Sequence, residues 1–247
     1  MSYWSFLFFL CCFLKLGLAQ QKELPKYIDK CSLNHNFKKC VLNSAQKAIP
    51  VIVKGDPEYN IPNMQPLHVP FVGLINTNQL VLNFTDTQVY GLENAKMVDI
   101  IIDKNNKLSS TPIFAIPNAT LKGEYSISGT LLALNLNGKG QYSVTLLNGV
   151  YKYPLVIEKV TKDGVDYYQA RGKKLIFDFE DVKFDIGDFL EGGNGLGKQI
   201  NKLLTENWKE LLEDFRPVIS DVVNTIILDI FNKIAQDVPA KNVFLPD

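Results

Sequence analysis

Residues 196–238 read LGKQINKLLTENWKELLEDFRPVISDVVNTIILDIFNKIAQDV. Apolar side chains recur here in steps of three and four: Leu196, Ile200, Leu203, Leu204, Trp208, Leu211, Leu212, Phe215, Val218, Ile219, Val222, Val223, Ile226, Ile227, Ile230, Phe231, Ile234 and Val238. That period sets them on one broad helical stripe, while Lys202, Glu206, Lys209, Glu210, Glu213, Asp214, Asp221 and Asp229 mostly fill the other face. A continuous helix of this length spans roughly 60 Å. So long a stripe needs an equally long cover. Pro217 falls mid-stripe and is expected to kink or split the helix; Pro239 is expected to end it.

The cover lies upstream. From residue 79 to 186 the pattern changes to period two and β-branched residues become common. Strands are expected at 79–89, 97–103, 111–116, 121–131, 141–147, 156–160, 166–170, 175–179 and 182–186. Turns are expected at Asp103-Lys104-Asn105-Asn106, at Asn137-Gly138-Lys139-Gly140, at Thr161-Lys162-Asp163-Gly164 and at Glu180-Asp181. Short connections make the sheet antiparallel. Residues 24–54 read as a short helical start with Pro50 interrupting it, and residues 55–70, with Pro57, Pro62, Pro66 and Pro70, as an extended connector. Residues 187–197 are rich in glycine and read as a hinge.

The N-terminus reads as an export signal. Residues 4–18 are apolar apart from Ser5, Lys15 and Gly17, and small residues follow at Gly17 and Ala19, so residues 1–19 are expected to be cleaved. The mature chain, 20–247, then forms one domain without stable membrane insertion. The whole chain carries 26 basic and 26 acidic residues, and no basic face marks a nucleic-acid partner. Cys31 and Cys40 are the cysteines left after cleavage, an even pair expected to bridge in an oxidising compartment. Asn83-Phe84-Thr85 and Asn118-Ala119-Thr120 are glycosylation sequons. Together these features point to a secreted, extracellular protein.

Chemistry finds little support. The histidines are His35, in the cysteine loop, and His68, among prolines. A Ser–His–Asp site would have to use one of them, and no G-x-S-x-G elbow is present. Two distant histidines and paired cysteines make no zinc site, and no cofactor motif is complete: Gly138-Lys139-Gly140 reads as a turn, and Gly192-Gly193-Asn194-Gly195-Leu196-Gly197 as a hinge without a ligand. Asp178, Glu180, Asp181, Asp185 and Asp188 read as a solvated outer face rather than a calcium site.

Five places in order resemble the insect takeout and juvenile-hormone-binding protein family. They are the pair Cys31 and Cys40; the passage 55–67; Leu82-Asn83-Phe84-Thr85 with Tyr90-Gly91-Leu92; Gly123-Glu124-Tyr125-Ser126-Ile127-Ser128-Gly129 with residues 134–140; and Ile200-Asn201, Glu206-Asn207-Trp208, Pro217 and Val238-Pro239. The single cysteine pair resembles the takeout branch more than the lepidopteran hormone carriers, which have a second bridge. The resemblance implies a fold of tubular lipid-binding type: an α+β architecture in which a highly curved antiparallel sheet wraps a long C-terminal helix, with an internal hydrophobic tunnel. It also implies a monomeric carrier, not an enzyme, for one elongated hydrophobic ligand such as a terpenoid, a juvenile-hormone-like molecule, a fatty acid or another lipid. The alternatives are a lipid-ester hydrolase using His68 and a structural protein with a filled core.

Within that frame, strand alternation assigns the walls. Tyr125, Ile127 and Leu131 face inward from one strand, Val144 and Leu146 from its neighbour, and Phe177 and Phe179 from a third; Trp208, Leu212 and Phe215 close the tunnel from the helix. Of these, Tyr125 is the residue expected to offer a hydroxyl to a polar ligand end, the plain alternative being a bond to backbone. A register error of one residue would invert any of these strands.

Overall fold

The structure, a computed structural model, describes residues 21–76, 79–131, 134–187 and 196–246. The expected export signal, most of the glycine-rich hinge and Asp188 lie outside these, as does the side chain of Leu131. The described residues form α1 (Phe37–Ile52), nine strands, and two consecutive C-terminal helices, α2 (Leu196–Glu206) and α3 (Trp208–Ala235). The strands are β1 (Leu67–Asn76), β2 (Leu80–Tyr90), β3 (Lys96–Ile102), β4 (Ser109–Leu131), β5 (Leu134–Lys152), β6 (Leu155–Lys162), β7 (Val165–Gly172), β8 (Ile176–Asp178) and β9 (Asp181–Ile186).

All strands join one antiparallel sheet built on the two longest, β4 and β5, which pair from Leu131↔Leu134 to Ile113↔Lys152. The far edge of β4 carries β2 and then β3; beyond the end of β5, β4 meets β6, which carries β7. β9 and β8 line the far edge of β5. Helix α3 meets both β1 and β7, at opposite margins of the sheet, so the sheet curls around it.

Two asparagines fasten the helices to the sheet. Asn201 on α2 accepts from Ile186 N (2.8 Å) and donates to Ile186 O (3.2 Å). Asn232 on α3 does the same with Ala170, at 2.8 and 3.2 Å. Each amide completes the hydrogen bonding of a strand residue that no neighbouring strand reaches from that side.

Several local expectations give way to longer-range pairing. Asn137-Gly138-Lys139-Gly140 is no turn: it runs within β5, with Gly138 opposite Ile127 and Gly140 opposite Tyr125. The glycines leave space beside large side chains on the partner strand. The expected strands 111–116 and 121–131 are one strand, because Pro117 falls where the ladder already skips, opposite Asn148 at φ 46. Glu180-Asp181 does not reverse the chain; β8 and β9 continue in one direction along β5. Residues 67–76 form β1 rather than a connector, and Pro70, lacking an N–H, stands at the sheet margin, where a missing donor is tolerated. Pro50 lies in the last turn of α1 without interrupting it. The Asp163-Gly164 turn forms as expected, both residues having positive φ (50 and 76).

The helix breaks at Asn207, not at Pro217. The Asn207 side chain donates to Leu203 O at 2.7 Å, sharing that carbonyl with its own N–H at 3.1 Å. Around Pro217, tertiary bonds hold the helix together: Arg216 donates to Phe177 O, and Ser220 Oγ accepts from Leu175 N at 2.9 Å.

The far end of α3 is closed by the N-terminal part of the chain. Tyr59, Ile61 and Met64 from the Pro-rich passage pack with Val53, Ile234 and Val238. Cys31 and Cys40 are disulfide-bonded. Cys31 O also accepts from Leu245 N at 3.1 Å, which ties the C-terminal tail to this end.

Replacing Asn232 with Ala leaves the buried-side N–H and C=O of Ala170 without their partner, and we expect a loss of about 1–3 kcal/mol in chemical denaturation. Reducing the disulfide is expected to cost roughly 2.5–3 kcal/mol by loop entropy. Intact mass with and without reduction checks the bond, and denaturation of the reduced protein checks its weight.

Candidate ligand-binding interior

The inner face of the sheet and the facing side of α2 and α3 form two apolar clusters. In the first, Tyr125 and Ile127 from β4 meet Leu80 and Leu82 from β2, Leu136 and Tyr142 from β5, and Ile200, Leu204 and Leu211 from the helices; Val144 and Phe215 pack against it. In the second, Phe177, Phe179 and Val182 meet Tyr153, Leu175, Trp208 and Leu212, with Val144 and Leu146 alongside. Val144 touches both, so they adjoin. Leu211 and Leu212, neighbours on α3, divide between them. Every wall residue expected from alternation that the structure describes therefore points into one of these clusters.

The sequence reading overlooked Leu80, Leu82, Leu136, Tyr142 and Tyr151. The glycine signal at 137–140 broke β5 where Leu136 and Tyr142 flank it. Ending the strand at Leu147 left Tyr151 outside. Counting back by two from Val144 would have reached Tyr142.

The polar atoms inside are mostly tyrosine hydroxyls. Tyr142 Oη lies 2.7 Å from Thr87 Oγ1. Thr87 reaches it because β2 bulges at Asp86 (φ 49), which turns Thr87 inward. Tyr153 Oη donates to Asn224 Oδ1 at 2.5 Å; Gly172 makes this possible, since a Cβ there would lie 2.1 Å from both atoms. Tyr125 Oη is different: it is buried and, among the described residues, has no hydrogen-bond partner, backbone included. An unmet buried hydroxyl costs roughly 1–3 kcal/mol.

Burial raises the pKa of each of these phenols, because the phenolate loses hydration. Tyr125 is raised by burial alone; Tyr142 is raised by burial, partly offset by the Thr87 bond; Tyr153 is pushed up to about 12. All remain neutral donors at physiological pH. The cation nearest the second cluster, Arg216, lies over the Phe177 ring (4.9 Å) but is bound by Glu213 (2.7 Å), so its charge is already met.

Other candidate chemistry faces outward. His68 Nε2 sits 3.2 Å from Asp86 Oδ1 on an exposed surface, and His35 is exposed in the cysteine loop. Neither histidine reaches the interior, as a hydrolase reading requires. Asp178, Glu180 and Asp185 are exposed, and Glu180 accepts from Asn148 Nδ2 at 2.6 Å. Among the described residues no group of His, Cys, Asp and Glu comes together to hold a metal. Of the sequons, Asn118 is exposed on β4 and Asn83 half-buried on β2.

The family model for haemolymph juvenile hormone binding proteins matches residues 6–245. The chain is 22% identical over 251 residues to the circadian clock-controlled protein daywake of Drosophila yakuba, covering 94% of this chain and 96% of that protein. Against daywake of Drosophila melanogaster the identity is 23% over 230 residues, covering 89% and 88%. Among solved structures, Takeout 1 of Epiphyas postvittana superposes with a TM-score of 0.78 at 23% identity, covering 89% of this chain and all of that one. That likeness shows the fold.

The buried phenols carry a pH consequence. Above the ordinary tyrosine value of 10.0 the unfolded chain ionises while Tyr153 stays protonated to about 12. A raised folded pKa gives stability that is whole below pH 10 and falls as pH rises towards 12. Denaturation midpoints should decline across that window. Phenolate absorbance should show tyrosines that ionise only on unfolding.

Proposed function

The chain belongs to the haemolymph juvenile hormone binding protein family, and on that premise we propose that it is a secreted, monomeric carrier of one elongated hydrophobic molecule held between sheet and helix. The ligand class is a terpenoid, a juvenile-hormone-like molecule, a fatty acid or another lipid. Residues 1–19 act as its export signal, and Asn118 and Asn83 as glycan acceptors, Asn118 the more accessible.

The observation that carries this reading is the unpartnered hydroxyl of Tyr125 inside an apolar cluster. A buried donor held without a protein partner is a cost that a polar ligand end would remove. A second feature supports it. Between Ser220 and Ile234 on α3, Val222, Val223, Ile226, Ile227, Ile230 and Phe231 are all only half-buried, although the sheet curls over the helix. Covering such side chains with an apolar ligand yields roughly 25 cal/mol per Å² removed from water. Tyr125, Ile127, Leu131, Val144, Leu146, Phe177, Phe179, Trp208, Leu212 and Phe215 are the proposed walls. Binding here needs shape and few polar contacts.

Displacement of a fluorescent fatty-acid probe tests the reading. Wild type should bind, and Trp208→Ala and folded Phe179→Asp should each weaken binding about tenfold or more, equivalent to about 1.4 kcal/mol. Tyr125→Phe should make the protein about 1 kcal/mol more stable while weakening ligands that carry an oxygen group. A wild type that binds neither the probe nor any lipid found by mass spectrometry of its organic extract would overturn the carrier.

A further inference from the structure

Tyr151 packs against the second cluster, but its hydroxyl is accounted for neither by that packing nor by the Tyr125 site. It stands on the inner face of β5, opposite Phe114, against the rings of Phe177 (6.4 Å) and Phe179 (5.9 Å). Among the hydrogen bonds of the described residues none involves its hydroxyl. Burial holds its pKa well above the ordinary tyrosine value, with no charge or hydrogen bond contributing. Yet the side chain is not sealed; it remains half-buried. The phenol thus stands on the inner face of the sheet, between aromatic rings, with its side chain not fully covered.

Gly149 sets where that hydroxyl lies. A Cβ at Gly149 would come within 2.8 Å of Tyr151 Cε2, 2.9 Å of its hydroxyl and 3.1 Å of Phe179 Cδ1. The Tyr151 ring is therefore laid back along β5 over Gly149, and its hydroxyl is carried towards Leu147 and Leu146, the side of Val144, the residue shared by the two clusters. A side chain at 149 would push the ring off this path.

We propose that Tyr151 is a second polar contact of the binding interior, donating to an uncharged oxygen of the ligand, such as an alcohol, ether, ketone or ester. This rests on the carrier reading and specifies its ligand: an elongated molecule with an oxygen group near each end. Tyr125 stands in the row of Gly140, and Tyr151 lies eleven residues farther along β5 than Gly140, roughly 35 Å along the strand. The backward lay of the Tyr151 ring shortens the gap between the hydroxyls. A carboxylate does not suit this end. The described members of both clusters include no cation, and Arg216 is already bound to Glu213.

The test compares a long-chain α,ω-diol with the n-alkanol of the same chain length, each displacing a fluorescent fatty-acid probe. The readout is the ratio of their affinities. A neutral hydrogen bond of ordinary strength corresponds to about fivefold. The ratio should fall about fivefold in Tyr151→Phe with alkanol binding unchanged. It should fall also in Gly149→Ala, which keeps the hydroxyl but moves the ring. Circular dichroism and denaturation confirm that each variant is folded. A ratio unchanged in Tyr151→Phe overturns the proposal, and so does equal weakening of both probes, which marks a packing role. Either of these leaves the carrier standing, because wild type still binds. If wild type binds no probe at all, the carrier reading falls and this site with it.

Discussion

The constraint on which the rest of the structure depends is the apolar stripe of α3. Its 28 residues make a rod of about 40 Å. Its aliphatic side chains have to be covered along that whole length. A compact sheet of ordinary strands, near six residues each, covers about 20 Å. The 23 residues of β4 and 19 of β5 supply the missing reach, and the natural twist of strands so long makes the sheet curl. Once the sheet curls, its margins approach the same helix, and their unpaired backbone groups need partners. Asn201 on α2 meets that need at β9 and Asn232 on α3 at β7, so helices and sheet fix each other's position.

The same geometry explains where polar atoms are tolerated. Ser220, Thr87 and Asn224 each serve one bond that closes a gap: Ser220 to the backbone before β8, Thr87 to Tyr142, Asn224 to Tyr153. Two phenols stand apart from this economy, Tyr125 and Tyr151. Charged groups lie outside or, like Arg216, at the rim with a partner. An interior whose polar atoms are neutral hydroxyls favours neutral guests, because an ion brought there would lose its hydration without gaining a counter-charge.

Much of the architecture was legible in the sequence because it rests on periodicity. The stripe of α3 and the alternation of β4, β5 and β8 place Tyr125, Ile127, Val144, Leu146, Phe177, Phe179, Trp208, Leu212 and Phe215 on the inner side without reference to neighbours. Legibility failed where a local signal conflicts with a long-range one. Pro117 and Pro70 read as strand breaks, yet one falls at a skip in the ladder and the other on a margin, places where no donor is demanded. Pro217 reads as the helix break, but the bonds of Arg216 and Ser220 flank it, and the break falls instead at Asn207, a weaker signal, whose side chain and N–H share the Leu203 carbonyl. None of these outcomes is visible without knowing which residue stands opposite.

The glycines link those failures to function. Gly138 and Gly140 suggested a turn because glycine is common there, but in β5 they stand opposite Ile127 and Tyr125, and Gly149 lies beneath the ring of Tyr151. Each removes a Cβ beside a large interior side chain. A strand optimised for its own stability would carry β-branched residues at these positions. At Gly149 this one gives up that local preference, where room is needed for the Tyr151 ring to turn along the sheet rather than stand up from it. Departures from local propensity are expected to gather at functional sites. Here glycines stand beside all four interior phenols: Gly140 opposite Tyr125, Gly149 beneath Tyr151, Gly123 opposite Tyr142, where it admits the β2 bulge that brings in Thr87, and Gly172 beneath Tyr153, where it admits the bond to Asn224. Glycine beside a partnered tyrosine admits a bond within the protein; glycine beside Tyr125 and Tyr151 makes room for a hydroxyl that no described residue meets.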